Sequence, residues 1–376
     1  MKPPHHAPAG QPVSRREFLG RLSLGATAWL VLRGRSAAAE PPTRKLGVAL
    51  VGLGSYSTGQ LGPALKLTKH CRLMGVVTRS AEKGRRWAQE YGFPEKNIYH
   101  YDTMARLADN PDIDIVYVVT PNSLHPEHVI AAARAGKHVI TEKPMANSVA
   151  ECDAMLAACR KAKVKLSVGY RLHFDPYHQE LVRLAREKDF GALTKLTGDF
   201  SFVMNGRPWR AIRKFSGGGP IMDLGVYLIQ AGCMVAGGVA PLAVTATEGP
   251  KTKPEIFQDV EETMTWKMEF AGGVGCDAVA SYSHNTDRFR AEGEKGWIEL
   301  KTNAFMYRGI TAETSRGPLV FDPPVNQQAR QMDDFTRCVR EGRESRVPGE
   351  MGRRDLCIVE AIYASAKSGQ RTLVKV

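Results

Sequence analysis

The sequence predicts an α/β N-terminal domain on a doubly wound parallel sheet, followed by an α+β domain with a large open antiparallel sheet. Residues 45–168 alternate short apolar runs with helical stretches, the βαβ rhythm of a parallel sheet. The first run, Leu46–Val51, leads directly into Gly52-Leu53-Gly54-Ser55, a glycine turn at the end of a strand. After about Asp175 strands succeed one another without helices between them, as antiparallel strands do.

The first 39 residues belong to neither domain. Ser14-Arg15-Arg16-Glu17-Phe18-Leu19 reads as a twin-arginine export signal. The apolar run behind it, Leu19–Leu32, is 14 residues long and broken by Arg21. A membrane span needs roughly 20, so no stable anchor is expected. Ala37-Ala38-Ala39 supplies a small-residue cleavage site and a mature start near Glu40. The expectation is export to the periplasm, already folded, through the twin-arginine translocase. The remainder is too long for one core and divides into a nucleotide-binding domain, 40–168, and a substrate and oligomerisation domain, 169–376. The C-terminal helix is free to pack back on the first domain.

Formal net charge is +13, and six basic residues against Glu17 in the leader leave the mature chain near +8. Its basic residues are scattered, whereas a nucleic-acid footprint needs clustering with interleaved aromatics. The milder implication is a field that favours a small anionic cofactor. The seven cysteines include no C-x-x-C pair and no zinc spacing, so no metal site is expected. Cys152 and Cys159 on one helix would lie about 10.5 Å apart, beyond disulfide reach.

In order, strands are expected at Leu46–Val51, Arg72–Thr78, Ile98–Tyr99, Ile115–Thr120, His138–Thr141 and Leu166–Val168. Helices are expected at Gly62–Lys69, Ala81–Tyr91, Thr103–Ala108, Pro126–Ala135 and Val149–Lys161, with turns at Asp109–Asp114, which contains Asn110-Pro111, and at Gly136-Lys137. A helix at Pro176–Glu187 opens the second part. Strands at Leu193–Val203, Val239–Glu248, Met264–Phe270, Val274–Tyr282 and Gly296–Leu300 follow, and helices at Gln327–Arg340 and Gly352–Lys367 close the chain.

Gly52, Gly54, Ser55 and Tyr56 are the candidate phosphate-binding turn, with Ser57 where the usual fingerprint has its third glycine. An NAD site wants a carboxylate at the end of the second strand; here Val77-Thr78 is followed by Arg79, Ser80 and Lys83. A guanidinium can hold a ribose 2′-phosphate bidentately where a carboxylate would repel it, so NADP is expected.

Strand ends then bring Thr120-Pro121-Asn122-Ser123-Leu124-His125 and Thr141-Glu142-Lys143-Pro144, and later Gly169-Tyr170-Arg171. Further on stand Trp209-Arg210, the run Gly217-Gly218-Gly219-Pro220-Ile221-Met222-Asp223-Leu224-Gly225-Val226-Tyr227, and Ser281-Tyr282-Ser283. Singly these are ordinary loops and helix faces. In this order the chain resembles the Gfo/Idh/MocA oxidoreductase family over essentially its whole mature length. The leader, Tyr227, Tyr282 and the Pro-Asn-Ser-Leu-His string are similar to its glucose–fructose oxidoreductase branch.

The resemblance implies a catalytic set of Lys143, Asp223 and Tyr227. A phenol of ordinary pKa near 10 is a poor base at neutral pH, and a neighbouring ammonium favours its phenolate; Lys143 is the natural supplier. Asp223, four residues before Tyr227, would share its helix face and orient a sugar or tune Lys143. Glu142 and a cis bond before Pro144 would fix the lysine. Cofactor contacts are implied for Thr120, Pro121, Asn122, His125, Glu142, Lys143, Arg171, Trp209, Arg210 and Tyr282. The implied activity oxidises an aldose at C1 to a lactone, and a second sugar is reduced by a tightly bound NADPH that never leaves. An NADP-dependent sugar dehydrogenase with exchangeable cofactor, and a non-catalytic sugar- or nucleotide-binding protein, are the other readings. Only Glu40–Lys45, with a reach of about 20 Å, stands where that branch carries a long arm over a neighbouring subunit's nucleotide. A homo-oligomer, dimer or tetramer, is expected, a dimer forming through the open sheet face.

Overall fold

The structure, a computed structural model, describes residues 44–376; the export signal and its cleavage site lie outside the described residues. Six parallel strands, β1 Leu46–Val51, β2 Cys71–Val77, β3 Ile98–Tyr99, β4 Ile115–Val118, β5 His138–Thr141 and β6 Leu166–Val168, lie in the order 3-2-1-4-5-6. That is the doubly wound dinucleotide-binding order, which leaves a crevice at the carboxyl ends of β1 and β4. The connecting helices are α1 Gly62–Leu67, α2 Ala81–Tyr91, α3 His125–Arg134 and α4 Val149–Ala162. Where a helix is expected near Thr103 the chain forms a 3-10 helix, Tyr101–Asp109.

The apolar run of β1 is buried on both faces, as a central parallel strand requires. Val48 and Leu50 pack with Leu61, Trp87 and Phe335, whereas Ala49 and Val51 face Val129 and Met155. Phe335 lies on α8, Gln327–Glu341 (after α5 Pro176–Glu187, the single turn α6 Arg213–Ser216 and α7 Val226–Val235), which covers the first face. Truncating such a fully buried ring costs about 3–5 kcal/mol.

The second sheet has nine strands. β7 Leu193–Ser201, β8 Ala243–Glu248, β9 Thr263–Glu269, β10 Gly275–Ser281, β11 Thr286–Gly293, β12 Gly296–Thr302, β13 Thr311–Thr314, β14 Gly317–Leu319 and β15 Thr372–Leu373 are ordered 14-13-12-11-7-10-9-8-15. It is mixed rather than purely antiparallel, because β7 and β10 pair in parallel. The cause is α7: it carries the chain from β7 over to β8, which runs the same way, and the β8-β9-β10 meander returns beside β7. Strand β11 escapes the sequence pattern because Phe289 and Ala291 are its buried residues, while Asp287, Arg288, Arg290 and Glu292 read as a solvated loop. The last helix, α9 Gly349–Ser368, begins three residues before the expected Gly352.

Candidate active site

The turn after β1 is built as a phosphate cradle. Gly52 has φ +98°, and a Cβ there would meet the Val119 carbonyl at 3.1 Å. Ser57, fully buried, donates its hydroxyl to the Gly52 carbonyl at 2.7 Å, so the residue in place of the third glycine cinches the turn. At Gly54 a Cβ would meet no protein atom within 4 Å, leaving the backbone open to a ligand. Beside it opens a cavity of about 1270 Å³, between the two sheets' ends. It exceeds the roughly 300–1,000 Å³ of a drug-sized site and leaves room for a dinucleotide and a second molecule.

Arg79 is exposed at the end of β2, its guanidinium 5.7 Å from the Tyr101 ring, which lines the cavity and stacks on His128. The Ser80 hydroxyl caps α2 by accepting from the Lys83 amide at 3.1 Å, and the Lys83 ammonium donates to the Leu53 carbonyl of the glycine turn. Ser80 therefore caps the helix and Lys83 braces the glycine turn, while Arg79 keeps an exposed guanidinium at the strand end. An open Gly54 backbone and a cation at the end of β2 fit an NADP-type dinucleotide.

Opposite the turn, Lys143 donates to the Asp223 carbonyl at 2.7 Å and lies 3.4 Å from its carboxylate and 4.5 Å from the Tyr227 ring centre. Asp223 lies on a single π-turn, Ile221–Gly225, and Tyr227 in the first turn of α7, so both face Lys143. Such π-turns recur at functional sites. Space for this turn depends on glycine: a Cβ at Gly219 would meet the Glu261 carbonyl at 2.2 Å. The Asp223 carboxylate also meets Arg210 at 3.2 Å and the Tyr282 hydroxyl at 3.3 Å. Burial pushes its pKa up, but Lys143 and Arg210 outweigh burial and hold it below the ordinary value. Glu142 is raised by burial even though Tyr117 donates to it at 2.7 Å. Its carboxyl fits because residue 169 is glycine; a Cβ there would stand 2.7 Å from Oε1. The Lys143–Pro144 peptide is cis.

Gly52, Gly54, Ser55, Tyr56, Thr120, Pro121, Asn122, His125, Glu142, Lys143, Arg171, Trp209, Arg210, Asp223 and Tyr227 all line this cavity. Several are held by protein partners. Asn122 donates to the Ser216 carbonyl at 2.8 Å. The His125 ring spans the Thr120 and Pro144 carbonyls at 2.8 and 3.0 Å, and burial lowers its pKa to about 4. Arg171 gives its guanidinium to Gln327 and to the Phe305 and Met306 carbonyls. Tyr282 is absent from the cavity wall; it sits fully buried behind Asp223, stacked on Phe257. Tyr307, which no motif marks, lines the cavity with its ring over Arg171 at 4.4 Å.

A glycine cradle facing a lysine, a carboxylate and a phenol defines a nucleotide-dependent oxidoreductase. Comparison with known proteins supplies the family. Residues 46–170 match "Oxidoreductase family, NAD-binding Rossmann fold" (GFO_IDH_MocA), and 178–299 match the "GFO/IDH/MocA C-terminal domain". The chain belongs to the Gfo/Idh/MocA oxidoreductase family. It is 40% identical to the aldose-aldose oxidoreductase from Caulobacter crescentus, solved with glycerol, with a TM-score of 0.85 over 88% of this chain and 100% of that one. D-xylose 1-dehydrogenase (NADP(+)) 2 of Haloferax volcanii is 27% identical, over 86% of this chain and 97% of its own. Trans-1,2-dihydrobenzene-1,2-diol dehydrogenase of Xenopus laevis is 33% identical, over 70% and 77%.

Proposed function

We propose that the protein is an exported, NADP-dependent sugar oxidoreductase that oxidises an aldose at C1 to a lactone and reduces a second sugar with the same bound nucleotide. The observation that carries this reading is the placement of Lys143 between Asp223 and the Tyr227 ring, across the cavity from an open phosphate turn. The Caulobacter crescentus and Haloferax volcanii proteins, by their names, support aldose substrates and NADP.

When bound, the nicotinamide would take up and return a hydride. In this mechanism Tyr227 accepts the C1 hydroxyl proton as the C–H bond breaks and returns that proton to the second sugar's carbonyl oxygen. Lys143, facing the ring, stabilises negative charge on the phenol and on the reacting oxygen. Arg171, 4.9 Å from the same ring, adds to that field from behind. Asp223, ionised and held by Arg210 and Tyr282, orients the sugar. Glu142 positions Lys143 by accepting from its amide, and His125 holds the carbonyl of the following Pro144.

Export through the twin-arginine route to the periplasm belongs to the same proposal, resting on Ser14–Leu19 and Ala37–Ala39. An enzyme that leaves the cytosol leaves its nucleotide pool, and a cycle that reoxidises the bound cofactor removes the need for one. A homo-oligomer is also proposed. The open sheet face carries ion pairs such as Lys195–Asp277 at 3.1 Å and Arg290–Glu299 at 3.2 Å, which a dimer would have to accommodate. The Haloferax volcanii name, that of an NADP(+) dehydrogenase, supports a second reading, a dehydrogenase that takes NADP from solution. Aldose added to purified protein without nucleotide decides between them. Absorbance at 340 nm that a second sugar abolishes supports the two-sugar cycle; activity that depends on added NADP supports the dehydrogenase.

A further inference from the structure

Tyr56 and Tyr307 reach toward each other across the cavity from opposite domains. Tyr56 belongs to the phosphate turn, and Tyr307 to the loop 303–310 between β12 and β13; their ring centres are 5.8 Å apart, tilted by 40°. On its far side the Tyr56 hydroxyl accepts from Gln328 at 3.4 Å. Gln328 is in the first turn of α8, so the contact ties both domains to that helix.

The loop that carries Tyr307 is pinned from beneath. Arg171, almost wholly buried, donates to the Phe305 and Met306 carbonyls, and Gln327 donates to Met306 at 3.4 Å. The Phe305 amide donates to Asp287 at 2.9 Å. Arg171 also stacks beneath the Tyr307 ring. One guanidinium therefore touches both this loop and the catalytic phenol Tyr227.

We propose that Tyr56 and Tyr307 form a strap over the nucleotide and are the residues that slow its release. This rests on the retained-cofactor reading above. Both phenols are pushed up by burial, so they stay neutral. They can then face a diphosphate as hydrogen-bond donors without adding negative charge. Opening the strap would break the ring contact, free Gln328 and lift a loop held by four buried or half-buried hydrogen bonds in concert. Retention is thereby supplied within a single chain, through residues distant in sequence from the N-terminus.

The test uses the full-length mature protein loaded with NADPH, its release followed through an NADPH-consuming auxiliary enzyme present in excess. Tyr307→Ala is expected to speed release at least tenfold, and Tyr307→Phe, which keeps the ring, to stay within about threefold of wild type. Tyr56→Ala should match Tyr307→Ala, and the double variant should add little, as for two halves of one contact. If Tyr307→Ala fails to fold, Gln328→Ala, at the other end of the strap, must still speed release. Release from Tyr307→Ala within twofold of wild type, or single effects that multiply in the double variant, overturns the proposal. Fast release from the wild type would instead overturn retention itself, and the ratio between variant and wild type would still report on the strap.

Discussion

Tyr227→Phe removes one oxygen and leaves the ring where the structure packs it. Edge contact with Phe200 at 5.5 Å, the tilted contact with Phe305 at 6.0 Å, and the facing cations of Lys143 and Arg171 all survive. Loss of stability is therefore confined to the phenol oxygen's interaction with Arg171, about 1 kcal/mol, or a few degrees in Tm for a protein of this size. Turnover should suffer far more. Removing a positioned proton acceptor costs about 10²–10⁴-fold, or roughly 3–5 kcal/mol at 1.36 kcal/mol per decade. Nucleotide affinity should not change. Single-turnover reduction of bound NADP by an aldose, followed at 340 nm beside a thermal melt, separates the two effects. Lys143→Met should lose a similar amount and the double variant little more, because members of one catalytic unit are not additive. A folded Tyr227→Phe protein that turns over aldoses within tenfold of wild type would refute the assignment of the base.

Arg79→Ala should weaken NADP by about 1.5–3 kcal/mol, the worth of a charged hydrogen bond, and NAD hardly at all; equal loss for both in a titration would exclude Arg79 as the 2′-phosphate ligand. Burial holds His125, His128 and His173 neutral down to about pH 4, against about 6.5 when unfolded. Their contribution to stability is complete above pH 7 and is lost as pH falls from 6.5 to 4, when only the unfolded chain takes up the protons. Near pH 5 each contributes a slope of about 1.2 kcal/mol per pH unit, so His128→Gln should flatten the measured stability–pH curve by that amount, and an unchanged slope would show that His128 titrates normally in the folded state. Replacing Arg15 and Arg16 by Lys should strand the precursor in the cytoplasm; normal periplasmic levels on fractionation would rule out the twin-arginine route.

The first sheet was legible because its strands are apolar on both faces and each ends in a turn of distinctive chemistry: Gly52 after β1, Thr120-Pro121 after β4, Glu142-Lys143 after β5. The second sheet was less so, because its strands are half-buried. Strand β11 shows the core only Phe289 and Ala291, too sparse an alternation to distinguish from a polar loop. The parallel pairing of β7 and β10 depends on where α7 delivers the chain, and no local pattern encodes that route.

At the site the same limit takes another form. A motif places a side chain near the chemistry without telling whether it faces the ligand or braces a neighbour that does. Asn122 and His125 stand in the most distinctive string of the chain, yet their polar atoms go to the Ser216, Thr120 and Pro144 carbonyls. Tyr282 lies behind Asp223, and Arg171 beneath Tyr227 and Tyr307. The residues nearest Lys143 are thus supported by a layer of equally polar residues whose partners come from other elements. Tyr307 is the converse case: it comes from an irregular loop with no signature, and it is brought to the cavity by Arg171, 136 residues earlier in the chain, together with Asp287 and Gln327. Exchanging residues 306–310 between relatives, which spares Phe305 against the Tyr227 ring, should accordingly alter how the nucleotide is held while leaving Lys143, Asp223 and Tyr227 in place, since none of the hydrogen bonds that fix Lys143 and Asp223 comes from that loop.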